Sequence, residues 1–158
     1  MRARRLALLF AALAAAPASA QPVTLDARAA EAIVRGCAAH AVAKKQGHAI
    51  VAVDSGGHVV AALRMDGNGS GIFDFALAKA KAVAAWGFST AAMADAAKGT
   101  PGFANAPHVV TVAGGVPVYA ADGKQRIGAV GVSGEAPADD AACAEAGIRA
   151  AGLRSARS

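Results

Sequence analysis

The sequence predicts an α+β fold, with a five-stranded, mainly antiparallel sheet flanked by helices. Three observations carry this expectation. The stretch Asn105 to Gly134 holds three apolar runs separated by Gly114-Gly115 and Asp122-Gly123. Turn chemistry so closely spaced between β-branched residues reads as a three-stranded meander, because each break supplies the positive-φ positions that tight hairpins need. Earlier in the chain, Ser55-Gly56-Gly57 separates two further apolar runs, and stretches with helical periodicity lie before, between and after the strands.

Taken in order, Thr24 or Asp26 caps a first helix that runs to about Gln46 and stops at Gly47. Its apolar positions Ala30, Ile33, Val34, Cys37 and Ala41 form one stripe, which buries Cys37. His48 to Asp54 and His58 to Met65 are the first two strands; alternation sends Arg64 and Asp66 out together at the end of the second. A glycine-rich loop, Gly67 to Gly71, leads into a helix from about Ile72 to Gly87. Ser89 caps a shorter helix to about Lys98, with Gly99 as its stop and Pro101 beyond. After the loop Thr100 to Pro107 come the meander strands His108 to Ala113, Val116 to Ala120 and Arg126 to Ser133. Asp139 and Asp140 begin a last helix to about Gly152, where their charge suits the helix dipole.

The first twenty residues read as a secretory signal: Arg2, Arg4 and Arg5, an apolar run Leu6 to Ala16, and Ala18-Ser19-Ala20 as cleavage site before Gln21. The apolar run is too short to span a bilayer. The expectation is an exported chain, periplasmic or secreted, with one domain from Gln21 to Ser158 and no membrane insertion after cleavage. Of the 16 lysines and arginines three fall in the signal, leaving 13 against 11 acids. So small an excess, without clustered cations and interleaved aromatics, argues against a nucleic-acid partner. The remaining core is alanine-rich and poor in aromatics, so each side chain buries little area, and burial between copies in a homo-oligomer is expected. Cys37 and Cys143 either form a disulfide or stay as two buried thiols; sequence leaves both open.

Val53-Asp54-Ser55-Gly56-Gly57-His58, Arg64-Met65-Asp66-Gly67, Ala76-Leu77-Ala78-Lys79-Ala80, Gly114-Gly115-Val116-Pro117 and Ile127 to Gly134 occur in an order and spacing that resembles the GlcG/HbpS-type haem-binding family, itself similar to the C-terminal domain of PduO-type proteins. The resemblance runs from about Leu25 to Gly147. It implies a profilin-like α/β sandwich assembling as a homo-oligomer, from dimer to octamer, in which some members, secreted ones included, bind haem. Here Asn105-Ala106-Pro107-His108 is followed by Val109-Val110, where many members have a histidine followed by glycines.

Haem requires an axial donor, typically a neutral histidine. No C-x-x-C-H occurs, which excludes covalent c-type attachment. Among His40, His48, His58 and His108, the last follows Pro107 at the mouth of a strand and is the metal-ligand candidate; the alternative is a hydrogen-bonded surface residue. Lys79 interrupts the apolar stripe Ile72, Ala76, Val83, Trp86. Buried there it must pair with a carboxylate, for which Asp66 and Asp54 are the candidates, or lose its proton more readily; otherwise it snorkels to water. The expected ligand-binding pocket is bounded by Asp66, Lys79, Asn105 and His108 and holds an anionic group such as a haem propionate or small carboxylate. Gly131-Val132-Ser133-Gly134-Glu135 lacks the nucleophile-elbow pattern, so a serine hydrolase is rejected. The leading expectation is an exported haem- or tetrapyrrole-binding carrier or sensor accessory. The alternatives are a small-molecule enzyme using Lys79 or His108, and a non-catalytic assembly partner of an exported oxidoreductase.

Overall fold

A computed structural model of the chain describes residues 24–158; the expected signal and its cleavage site lie outside the described residues. The elements are α1 (Ala27–Lys44), β1 (Ala49–Asp54), β2 (Val59–Arg64), α2 (Ser70–Trp86), α3 (Thr90–Gly99), a 3-10 turn (Phe103–Asn105), β3 (Gly115–Tyr119), β4 (Arg126–Ser133) and α4 (Pro137–Ala150). Asp26 caps α1 by accepting the Ala29 N–H at 2.8 Å, and Ser89 caps α3 through the N–H of Ala92. No described helix is long and apolar enough to cross a membrane.

The sheet has four strands, not five, in the order β2-β1-β4-β3 with antiparallel neighbours throughout. The run His108 to Ala113, expected as a strand from its β-branched residues, forms none. His108 sits in the left-handed region at φ 61°, inside a turn closed by the Val109 N–H on the Ala106 carbonyl, and this bends the chain away from extended geometry. The outer edge of β3 also offers no place for a fifth strand. Pro117 removes an N–H at its centre, and Tyr119 exchanges backbone hydrogen bonds with Arg154.

Helices cover both sheet faces, which is why β1 is an unbroken apolar run rather than an alternating one. Ile50 and Ala52 face a core shared with Ile33 and Cys37 of α1 and Cys143 and Ile148 of α4. Ala49, Val51 and Val53 face Ala76, Ala80 and Val83 of α2. The small residues act as spacers. A methyl at Gly131 would collide with the carbonyl of Ala76 and the amide of Ala80, so α2 lies directly on β4. Gly36 and Gly147 likewise let α1 and α4 touch: a Cβ on Gly36 would stand 2.5 Å from that of Ala150. At this crossing Cys37 and Cys143 are joined by a disulfide, with their Cα atoms 4.7 Å apart.

One buried polar cluster connects the two helical layers. Lys79, in the middle of α2 and 1 % exposed, donates from its amine to Asp140 Oδ2 at 2.9 Å and to the Val132 carbonyl at 2.8 Å. Asp140 belongs to the first turn of α4, where the dipole favours a negative charge. Its other oxygen faces His48 Nδ1 at 3.1 Å and accepts the Glu135 N–H at 3.1 Å. Lys79 and Asp140 thus tie α2, on one face of the sheet, to α4, on the other, with the N-terminal end of β1 held through His48. Gly114, at φ +123°, completes the enclosure: a Cβ there would lie 2.7 Å from the Lys79 amine.

Removing one member leaves the other charge buried without its partner, at a cost on the order of 3 to 5 kcal/mol. Lys79→Met is therefore expected to lower the urea midpoint sharply at unchanged m-value, while adding Asp140→Asn recovers at least half of the loss, because the neutral amide still accepts from Glu135. Equal, additive losses in equilibrium unfolding would contradict a paired cluster. Replacing both cysteines with alanine is expected to cost on the order of 4 kcal/mol by the chain-entropy account of a long closed loop, measured by the same unfolding with thiol reductant as the parallel arm.

Candidate functional site

The turn between β1 and β2 is built around Asp54. Its Oδ1 accepts the N–H of Gly56 and of His58, each at 2.9 Å, and Gly57 takes the positive φ the turn requires. The His58 ring folds back so that Nδ1 lies 3.2 Å from both carboxylate oxygens. Burial alone would raise the Asp54 carboxyl, but the His58 N–H, its imidazole and the Gly56 N–H outweigh it and hold the group below the ordinary carboxylate range. A depressed value means that these contacts are at full strength above that range and are lost as pH falls through the lowered value. In the neutral ring, a carboxylate facing Nδ1 makes that nitrogen the donor and leaves Nε2 with its lone pair. The His58 side chain is 83 % exposed, so this lone pair is open to a ligand.

His58 lines a cleft of about 410 Å³ between the turn and α2. Ala84 and Ala85 are its only apolar side chains, Lys81 gives it a cation, and His108 a second imidazole. The turn lies close on the helix: a Cβ at Gly57 would stand 3.7 Å from that of Ala84. His108 is brought to this cleft by an aromatic anchor. The Trp86 indole N–H donates to the Pro107 carbonyl at 3.0 Å. Phe103 packs edge-on to Trp86 at 5.1 Å between centroids, and Phe88 stacks on Phe103 at 6.4 Å. The left-handed backbone of His108 costs on the order of 1 to 2 kcal/mol, and this anchor on the preceding residues opposes its relaxation.

The four residues expected to bound one pocket are not gathered there. Lys79 is sealed in the interior, and its carboxylate partner is Asp140 rather than Asp66 or Asp54. Asp66, just past β2, and Asn105, in the 3-10 turn, are both exposed. Of the four, His108 alone lines the cleft, where the cation within reach of a ligand is Lys81, two residues beyond Lys79. Sequence reasoning placed His58 and His48 behind His108 and passed over Lys81 and Asp140 as functional or paired groups. The signal for His58 was present: Asp54 followed at the second and fourth positions by the N–H groups that an aspartate-centred turn uses. No comparable signal joins Lys79 to Asp140, which lies 61 residues away.

Among the described residues no group of three or more His, Cys, Asp or Glu side chains is placed to hold a metal ion. A porphyrin supplies four nitrogens of its own and asks one or two axial donors of the protein. Two imidazoles and a lysine offer such a group an iron donor and a propionate partner at the open mouth of the cleft, where Ala84 and Ala85 are the only apolar side chains.

Comparison with known structures returns the same architecture. The chain matches HbpS of Streptomyces reticuli, in a double mutant, at 26% identity and TM-score 0.75, covering 90% of this chain and 97% of that one. It matches PduOC in its haem complex at 24% identity and TM-score 0.77, covering 85% of this chain and all of that one, and Klebsiella pneumoniae ORFY at 24% and 0.77, covering 87% and 97%. At 24% identity the last two likenesses establish the fold alone. A search of curated proteins returned no match. The family model described as haem degrading protein HbpS-like matches residues 25–149, nearly the whole described chain, and the chain belongs to that family.

Proposed function

We propose that the chain is an exported haem- or tetrapyrrole-binding protein, serving as carrier or sensor accessory, and that its ligand occupies the cleft between the β1–β2 turn and α2 with His108 as axial donor. The observation that carries this reading is the presence of two imidazoles and Lys81 on one cleft, in a member of the HbpS-like family. PduOC, a relative of the same fold, has been crystallised as a haem complex. Bound haem would supply an iron able to take axial ligands and change oxidation state. The chain's residues would hold it: His108 through a ring nitrogen, Lys81 through a propionate, Ala84 and Ala85 against the apolar ring edge. Lys79, paired and enclosed, takes no part. Assembly into a homo-oligomer belongs to the same reading, since an open cleft leaves part of a haem uncovered and a second copy would shield it.

Titration of the chain from Gln21 onward with hemin is expected to give a saturable visible band at about one haem per chain. His108→Ala should shift that band and weaken binding about tenfold, a change of about 1.4 kcal/mol; Lys81→Met should weaken it less and leave the band in place. A protein that stays colourless after hemin and washing would end the proposal.

A further inference from the structure

We propose that the segment after α4 carries a phosphate site, apart from the cleft and independent of the haem reading. Arg149, Arg154 and Arg157 line one hollow of about 270 Å³ together with Leu153 and Ser155. None of these residues lines the cleft at the β1–β2 turn. The main chain holds the three cations together. Beyond Ala150 the chain turns at Gly152, whose φ of 72° suits glycine. Arg154 then exchanges backbone hydrogen bonds with Tyr119 at 2.8 and 3.2 Å. Further on, Ser158 donates its N–H to the Gly123 carbonyl and its hydroxyl to the Asp122 carbonyl. The backbone of Arg157 is thus held between two anchors, and the Arg154 guanidinium is steadied by donating to the Ser158 hydroxyl at 2.6 Å.

These cations are poorly matched by the protein itself. Arg149 stands in the last turn of α4, where a positive charge suits the helix dipole. Its carboxylate neighbour is Glu145, 3.7 Å away across an exposed helical turn, a contact that contributes little. Among the described residues no ion pair reaches Arg154 or Arg157. Asp122, the acid of the adjoining turn, has its Oδ1 on the Lys124 N–H. The dipole accounts for the first arginine and not for the other two, which lie beyond the helix. Like charges fixed around one hollow repel, and a bound anion relieves that repulsion. The number of forks selects the anion. A guanidinium pairs its N–H groups with two oxygens at a time, so a carboxylate, with one charge and two oxygens, leaves arginines unanswered. A phosphate, free or as a monoester, offers three acceptor oxygens and a charge of about −2 near neutral pH, which suits three guanidiniums.

Inorganic phosphate added to the chain from Gln21 onward at constant ionic strength is expected to move the amide resonances of residues 149–158 saturably, with a millimolar midpoint. Chloride at equal ionic strength should leave them in place. Arg154→Gln combined with Arg157→Gln should weaken phosphate binding about tenfold, or about 1.4 kcal/mol. Unmoved Tyr119 and Gly123 amides in the phosphate-free variant would show that the segment is still anchored. Arg149→Gln, which touches none of those anchors, should weaken binding as well. Phosphatidylcholine vesicles carrying phosphatidic acid separate the two sources of the group. Retention on them that inorganic phosphate reverses assigns a lipid headgroup; a saturable phosphate shift without retention assigns a soluble phosphate or ester. The absence of a saturable shift, an equal response to chloride, or undiminished binding in both variants would overturn the site.

Discussion

The contact between the Lys79 amine and the Asp140 carboxylate sets the terms for everything around it. A charge taken this far from water is tolerated only when it is matched, so α2 and α4 must arrive together from opposite sides of the sheet. That requirement explains several otherwise unrelated choices: glycine at 114, where any side chain would strike the amine; an acid in the first turn of α4; a free carbonyl on Val132 aimed inward. His48 and the Glu135 N–H use the carboxylate's remaining capacity. The cluster is also selective, since a slip of α4 by one residue would bring Asp139 or Ala141 into the place of Asp140.

The same constraint separates structural from functional charge. With Lys79 committed to the interior, the outward cation on α2 is Lys81, and the histidine free to act is His58 rather than His48. Each pair offers the same side-chain chemistry; burial decides which member can meet a ligand. The cleft is made from the hairpin turn, one face of α2 and a loop held by Trp86, so a rigid helix and two anchored connections position its groups. Groups carried on such elements keep a fixed orientation with little movement of their own.

Much of this was legible in the sequence. Periodicity located all four helices and four of the strands, because the apolar stripes and hairpin residues agree with the tertiary arrangement. The burial of Lys79 was one of the two readings that its place among Ile72, Ala76 and Val83 allowed, the other being a side chain that snorkels to water. Its partner was not legible, because Asp139 and Asp140 both look like complements to a helix dipole and only the three-dimensional crossing distinguishes them. The segment after Pro107 misled because Val109, Val110 and Val112 have strand propensity; a strand also needs a neighbour, and a left-handed His108 with a closed β3 edge removes it. HbpS-like membership was visible in the ordered motifs, while the cleft was not, since its residues come from three separated parts of the chain.

The bond between Cys37 and Cys143 closes a covalent ring that contains every strand and joins the first described helix to the last. While oxidised, neither α1 nor α4 can be lent to a neighbouring copy by exchange of terminal segments, so any contact between copies would be one between finished surfaces. The denatured chain also remains a loop, more compact than its reduced form, and unfolding exposes less new surface than a linear chain of this length would.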